Sequence, residues 1–229
     1  MFEGFPRSGL EFLSGLAANN NKAWFEEHRN EYEKCLLEPA KDLVVDLGSK
    51  LQDQVSPNIQ ADPRFNGSIM RISRDIRFSK DKSPYKNWLG LWFWEGGPRR
   101  SMESPGFYFS LHPDQLVLGA GKHGFDKPML EKYRSATVDP KTGPSLLKVV
   151  EQARAAGYEV GGKSYKQVPR GYDPKDPQTA DMLLYGALHA GITMPVPKDA
   201  HSAAFVDFCL DRLRTVAPLE QWLVKLFVG

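Results

Sequence analysis

The spacing of apolar residues changes twice along this chain, and these changes limit the folds that it can adopt. Over residues 1–55 apolar side chains recur every three or four positions, as on one face of a helix. Over residues 65–122 they tend to alternate, as in strands with one buried face. Residues 123–229 return to a mainly helical pattern. We therefore expect an α+β fold, with a mostly antiparallel sheet in the middle of the chain, flanked by N-terminal and C-terminal helices.

Cap and turn residues place the individual elements. A capping box of Ser8 and Glu11 predicts the first helix, and the asparagine run at 19–21 predicts the cap of the second. Pro39 predicts a helix restart. Strands are predicted over residues 69–78, 88–94, 106–111 and 115–120, and later helices over residues 126–136, 142–157, 176–191, 202–216 and 219–227.

The size of the chain allows a self-sufficient core. Of its 229 residues, 41% are hydrophobic and 25% are charged, which is usual for globular proteins. A chain of this length buries roughly 70% of the surface that its unfolded form exposes. Because no linker or low-complexity tract interrupts the pattern, we expect a single domain over residues 1–229.

The number of cysteines and the length of the apolar runs indicate the cellular compartment. The two cysteines, Cys35 and Cys209, cannot build a disulfide framework and suit a reducing compartment. The N-terminus lacks the basic and apolar regions of a secretory signal, and no run reaches the eighteen apolar residues typical of a membrane span. We expect a cytoplasmic protein without a membrane partner.

Positive charge is concentrated in one stretch, although the net charge is only +2. Residues 64–100 hold nine basic and three acidic residues, a balance of +6, which leaves −4 for the rest. Arginine offers a planar fork of donors that suits phosphate or carboxylate. Residues 71–86, hereafter the basic segment, contain six of these cations: Arg71, Arg74, Arg77, Lys80, Lys82 and Lys86.

Two interpretations of the basic segment stay open at this point. Its cations could pair with Asp75, Asp81 or acids on neighbouring strands, and so only stabilise the fold. Alternatively they could bind an anion, together with the Tyr85 hydroxyl. The predicted strand 69–78 turns Arg74 toward its apolar face, where a guanidinium needs a partner.

The basic segment is part of a longer pattern of recognisable residues. Its members are Gly4-Phe5-Pro6 with Leu13, Asn20, Trp24-Phe25, His28-Arg29, Tyr32, residues 71–86, Gly106-Phe-Tyr-Phe, Gly119-Ala-Gly and Val168-Pro-Arg-Gly-Tyr-Asp-Pro174. Along nearly its whole length the chain resembles a largely bacterial family known as domain of unknown function 2461. That family brings no established activity. The resemblance implies that these polar segments belong together, so that His28 and Arg29 approach the basic segment.

Other motifs give weaker predictions. Gly119-Ala-Gly-Lys-His-Gly124 matches a dinucleotide-binding string, but the next helix is expected only from Asp126, so a glycine-rich strand end is favoured. The five histidines lack the spacing of metal ligands, and we predict no metal site. No cofactor follows from the sequence. Arg170 and Tyr172, in a predicted loop, form a second candidate patch.

Our leading hypothesis is a pocket for a phosphorylated or other anionic small ligand. Its predicted binding residues are Arg71, Arg74, Arg77, Lys82, Tyr85, Lys86, Arg170, Tyr172, His28 and Arg29. If the protein is an enzyme, we expect phosphoryl transfer or hydrolysis, with Asp75 or Asp81 as general base or metal ligand.

Two alternatives stand beside that hypothesis. One is a non-enzymatic binder of single-stranded nucleic acid, in which Trp88, Trp92 and Trp94 stack on bases; buried tryptophans would count against it. The other is a protein-interaction or structural module.

Overall fold

The computed structural model describes residues 1–64, 66–97 and 104–229. Two of the nine basic residues counted above, Arg99 and Arg100, lie outside the described residues. The helices are α1 (Arg7–Ala18), α2 (Lys22–Glu27), α3 (Arg29–Tyr32), α4 (Glu38–Gln54), α5 (Lys127–Val138), α6 (Gly143–Ala155), α7 (Pro177–Met182) and α8 (Phe205–Phe227). The strands are β1 (Ile59–Gln60), β2 (Leu89–Glu95), β3 (Gly106–Leu111), β4 (Gln115–Lys122), β5 (Glu159–Lys163) and β6 (Tyr185–Pro195).

These strands form one antiparallel sheet in the order β1-β2-β3-β4-β6-β5. Helices lie at both ends of the chain and the sheet comes from its middle, so the predicted α+β class is confirmed. Within the described parts of the chain, no helix has the length and apolar character needed to cross a membrane.

Local signals place the N-terminal helices. Asn21 caps α2, because its side-chain oxygen accepts the Trp24 N–H at 3.0 Å. Pro39 lies in the first turn of α4, as predicted. The predicted capping box is wrong: α1 begins after Pro6 without a side-chain cap, and the Ser8 hydroxyl contacts the Cys35 sulfur at 3.2 Å.

The predicted strand over residues 69–78 is also wrong. Ile69 and Ser73 form only isolated bridges, to Leu91 and Tyr85. The alternation of exposed and more buried residues continues to Arg77, but the chain bends at Arg77 and Phe78 and forms no strand ladder over residues 74–78. A regular strand would need a ladder of backbone hydrogen bonds to a neighbouring strand. In this polar segment, hydrogen bonds from nearby arginine and lysine side chains take its place.

The C-terminal part differs in three places from its predicted pattern, the first being the unpredicted strand β5. Instead of a helix over residues 176–191, α7 ends at Met182 and β6 begins at Tyr185. The partner strand β5 pairs with β6 from Tyr185 to Gly191, and this long-range pairing overrides local helix propensity. The two helices predicted near the C-terminus are one helix, α8, with Pro218 inside it.

The chain divides into two compact units, and the single-domain expectation stays a prediction. The first unit comprises Met1–Phe93, Tyr108–Leu118 and Thr193–Asp211. Its aromatic core includes Phe5 and Phe109, whose rings lie 6.2 and 6.0 Å from the ring of Phe205. Buried leucines of α1 and α4 belong to the same unit, so that its helices present apolar faces to a common core.

The second unit comprises Trp94–Phe107, Gly119–Ile192 and Arg212–Gly229. Tyr133 is completely buried in it, and its hydroxyl donates to the Met182 carbonyl at 3.1 Å. The Phe125 ring lies between this residue and the C-terminal helix, 4.9 Å from Tyr133 and 5.3 Å from Phe227.

Candidate functional site

A cavity of about 540 Å³ lies in the first unit, beside the basic segment. Its lining residues are Ala17, Asn20, Arg74, Asp75, Asp81, Ser83, Tyr85, Lys86, Asn87 and Trp88. Pockets for small molecules usually measure about 300–1,000 Å³, so this cavity has room for a metabolite rather than a single ion.

The backbone of the basic segment doubles back on itself beside this cavity. The Arg74 N–H donates to the Pro84 carbonyl at 2.9 Å, and the Lys86 N–H donates to the Ile72 carbonyl at 2.8 Å. A bridge between Ser73 and Tyr85 lies between these two bonds. Both ends of the basic segment are therefore held together, and Arg74 and Lys86 line one cavity although twelve positions separate them.

Arg74 is the most extensively held cation at the site, and its side chain is 26% exposed. Its Nη1 donates to the Asp81 carboxylate and to the Ser83 carbonyl at 3.2 Å. Its Nη2 donates to the Ser79 hydroxyl at 3.3 Å. A guanidinium has five N–H groups, so two of them have no partner among the described residues. Arg74 is half-buried, and it is held by polar neighbours rather than by the apolar strand face that was expected.

Asp81 is held in its ionised form. Its Oδ1 accepts the Ser83 hydroxyl at 2.6 Å and the Ser83 N–H at 2.9 Å. These bonds, together with that from Arg74, lower the pKa of Asp81 to about 2. Such a carboxylate is a weak base at neutral pH, and its charge is balanced locally.

Asp75 forms a second ion pair in the basic segment. Its carboxylate accepts three bonds from the Arg77 side chain, the two shortest from Nη2 at 2.6 Å and from Nε at 3.0 Å. These bonds lower the pKa of Asp75. The pairing predicted by the structural interpretation is therefore present, and it coexists with a cavity that Arg74 and Lys86 line.

Asn20, between α1 and α2, fixes the position of Tyr85 in the cavity wall. Its Nδ2 donates to the Tyr85 carbonyl at 2.9 Å, and its Oδ1 accepts the Tyr85 N–H at 3.0 Å. The Tyr85 ring stacks on Phe25 of α2, with centroids 4.2 Å apart. Sequence reasoning missed Asn20 as a site residue because the asparagine run has a sufficient explanation in helix capping. It also missed Ala17 and Asn87 as cavity-lining residues.

The tryptophans do not form the stacking surface that the nucleic-acid hypothesis requires. Trp92 is 2% exposed and Trp94 is fully buried. Trp88 is half-buried, with the Lys86 Nζ 4.8 Å from its ring centroid and the His112 ring stacked at 5.8 Å. Two neighbours contact the Trp88 ring, and Trp88 belongs to the cavity wall. Trp92 and Trp94 belong to the core.

The remaining predicted residues near the basic segment lie outside the cavity lining. Arg71 and Arg77 are exposed, and the Lys82 Nζ donates to the Ile76 carbonyl at 3.0 Å. His28 stacks on Trp24 at the end of α2, and Arg29 forms an ion pair with Glu26. The Arg29 guanidinium also lies 5.3 Å from the Phe25 ring centroid, and Phe25 contacts Tyr85.

The second predicted patch belongs to the second unit. Arg170 is an exposed turn residue, and Tyr172 lines a separate cavity of about 600 Å³. In the same unit, the glycine string lies mostly within β4, and α5 begins only at Lys127, after the Asp126 cap. A dinucleotide site would require a helix to begin within that string.

Among the residues that the structure describes, no group of three or more His, Cys, Asp or Glu side chains is arranged to hold a metal ion.

In comparisons with known proteins, a family model described as "Conserved hypothetical protein (DUF2461)" matches residues 8–222. Searches of curated proteins and of solved structures each find no match.

Proposed function

We propose that this protein, which belongs to the DUF2461 family of conserved hypothetical proteins, binds a phosphorylated or otherwise anionic small molecule in the cavity beside its basic segment. The observation that carries the proposal is the state of Arg74. Three contacts hold its guanidinium at the cavity, and two of its N–H groups have no partner among the described residues. A guanidinium that is held in place and still has N–H groups without a protein partner is suited to bind phosphate or carboxylate oxygens.

The charge of the whole basic segment favours an anion over a cation, although the lining itself holds two cations and two carboxylates. The cavity lining contains two carboxylates, but Asp75 is paired with Arg77 and Asp81 with Arg74 and Ser83. The whole basic segment has six cations against two acids, a balance of +4. Lys86 adds a second positive charge to the lining. Hydroxyl and amide groups of Ser83, Tyr85 and Asn87 complete a polar wall for the rest of the ligand.

The proposal assigns binding rather than proton transfer to this site. A general base works best when its pKa lies near the working pH, and the pKa of Asp81 is about 2. Asp75 is tied to Arg77 by three side-chain bonds. We therefore assign both carboxylates roles in positioning the arginines and balancing their charge.

The first test is a thermal-shift screen of the purified protein. Its ligands are inorganic phosphate, sulfate, nucleotides and sugar phosphates, and isothermal titration follows any hit. A ligand at a hundred times its Kd stabilises the folded state by about 2.7 kcal/mol, which corresponds to several degrees in Tm. If no anion in the screen raises the Tm, the proposal fails.

Variants then locate the binding. Arg74→Lys keeps the charge but loses the planar fork, and Lys86→Met removes the second cation of the lining. We expect each to weaken the affinity for the best anion about 10-fold or more, as for charge-assisted hydrogen bonds worth about 1.5–3 kcal/mol. The control is Arg64→Ala, because Arg64 is also an arginine paired with an aspartate, Asp62, and does not line the cavity. Unchanged affinity in folded Arg74→Lys and Lys86→Met proteins would refute the assignment of the site.

A further inference from the structure

Phe78 presents its ring to solvent at the outer end of the basic segment. It is 95% exposed, the highest value among the large hydrophobic side chains of the described residues. An aromatic side chain gains much of its stabilising effect from burial, and this one gains almost none within the chain. Phe78 does not line the cavity described above.

The backbone around Phe78 is braced from several sides. The Ser79 N–H donates to the Ile76 carbonyl at 3.3 Å, which closes a tight turn. The Lys82 Nζ donates to the same carbonyl at 3.0 Å. The Ser79 hydroxyl accepts a bond from Arg74 at 3.3 Å. The exposed ring is therefore carried on a held turn, which lowers the entropy lost on binding a partner.

One cation lies beside the exposed ring, and others lie close to it in the sequence. The Arg77 guanidinium lies 5.8 Å from the Phe78 ring centroid while it pairs with Asp75. Arg71, Lys80 and Lys82 are exposed in the same basic segment. A flat aromatic face among exposed cations is complementary to a partner that has both flat rings and a negatively charged backbone.

We propose that this tip, residues 76–80, binds single-stranded nucleic acid, with Phe78 stacking on a base and the neighbouring cations contacting phosphates. Proteins that bind single strands without sequence preference stack bases on aromatic side chains and contact the backbone with basic residues, and Phe78 with its neighbouring cations offers one such stacking position. An anionic membrane is the weaker candidate, because interfacial binding requires an apolar face of several side chains and Phe78 is the only large apolar side chain of this tip that is fully exposed. This role goes beyond the small-molecule site and uses different residues.

The test is fluorescence anisotropy with a labelled oligothymidylate of roughly 15 nucleotides, at several salt concentrations. We expect binding that weakens steeply with salt, because phosphate contacts release counterions. We expect Phe78→Ala to reduce the affinity about 5- to 150-fold, and Phe78→Tyr to retain it. The control is Val45→Ala, which removes another exposed apolar side chain of the first unit, 51% exposed on α4.

Three outcomes would overturn this inference. One is oligonucleotide binding that is the same in Phe78→Ala as in the parent protein. Another is no oligonucleotide binding even at low salt. The third is binding to phosphatidylserine vesicles, and not to the oligonucleotide, that depends on Phe78. Phe78→Ala leaves the cavity lining intact, so its result does not bear on the small-molecule site. Failure of the small-molecule proposal would show as unchanged anion affinity in Arg74→Lys.

Discussion

Replacing Glu220 with glutamine should remove a large pH dependence from the stability of this protein. Glu220 is completely buried on α8, and its Oε1 has no hydrogen-bond partner among the described residues. Its Oε2 accepts the Gln221 amide at 2.9 Å, and the same amide donates to the buried Glu95 at 2.7 Å. Burial, reinforced by the nearby Glu95 and opposed by Gln221, raises the pKa of Glu220 to about 8.

The size of the effect follows from the two protonation states. The ordinary pKa of this carboxyl is 4.5, so between pH 4.5 and about 8 the folded protein keeps a proton that the unfolded chain has released. The free energy of unfolding therefore falls as the pH rises through this window, by about 1.4 kcal/mol per pH unit. Between pH 5.5 and pH 7.5 Glu220 lowers it by about 2–3 kcal/mol. Glutamine does not titrate and makes no such contribution.

The assay is urea unfolding at both pH values for the parent protein, for Glu220→Gln and for Glu131→Gln. Glu131 is an exposed residue of α5 and serves as the matched control. Because other titrating groups contribute equally to all three proteins, the difference between their pH dependences isolates Glu220. If Glu220→Gln loses as much stability between pH 5.5 and pH 7.5 as the parent protein, the reasoning about the buried carboxyl is wrong.

Three further predictions test other parts of the fold. Asn20→Ala removes both bonds to the Tyr85 backbone and should lower the free energy of unfolding by about 1–3 kcal/mol in urea, whereas an unchanged value would contradict the bracing role. Gly121→Ala should lower the Tm markedly in calorimetry, because φ is +135° there and a Cβ would lie 2.3 Å from the Leu188 carbonyl oxygen; a parent-like Tm would argue against that close approach. Burial and the neighbouring His123 lower the pKa of His189 to about 4, so the folded state binds fewer protons than the unfolded chain between pH 4 and 6.5 and stability rises with pH there. Urea unfolding should show a shallower rise in His189→Gln, and an equal rise would exclude this assignment.

Much of the fold could be predicted from local patterns. Apolar spacing identified α1 and α4, a short apolar run identified β2, and alternation identified the hairpin of β3 and β4. Asn21 and Pro39 were identified as helix-start residues because capping and the first helical turn depend only on neighbouring backbone groups. One error occurred where distant contacts decide the structure. The sequence of β6 has no strong strand pattern, and pairing with β5 makes it a strand.

The candidate site, too, has features that the sequence predicts locally and features that depend on distant contacts. The concentration of arginine and lysine in residues 71–86 is a property of the sequence alone, and so are the short-range pairs between Asp75 and Arg77 and between Asp81 and Ser83. These pairs form within two positions, where the chain itself supplies the proximity.

Only the tertiary structure decided which residues meet at the cavity and which aromatic rings stay in solvent. Asn20 reaches Tyr85 across 65 positions, and no local pattern encodes a contact at that separation. Burial removed Trp92 and Trp94 from the surface and left Phe78 exposed, although all three lie in the same basic region of the sequence. Composition fixes how many cations and rings the chain has, whereas long-range packing determines which of them a ligand can contact.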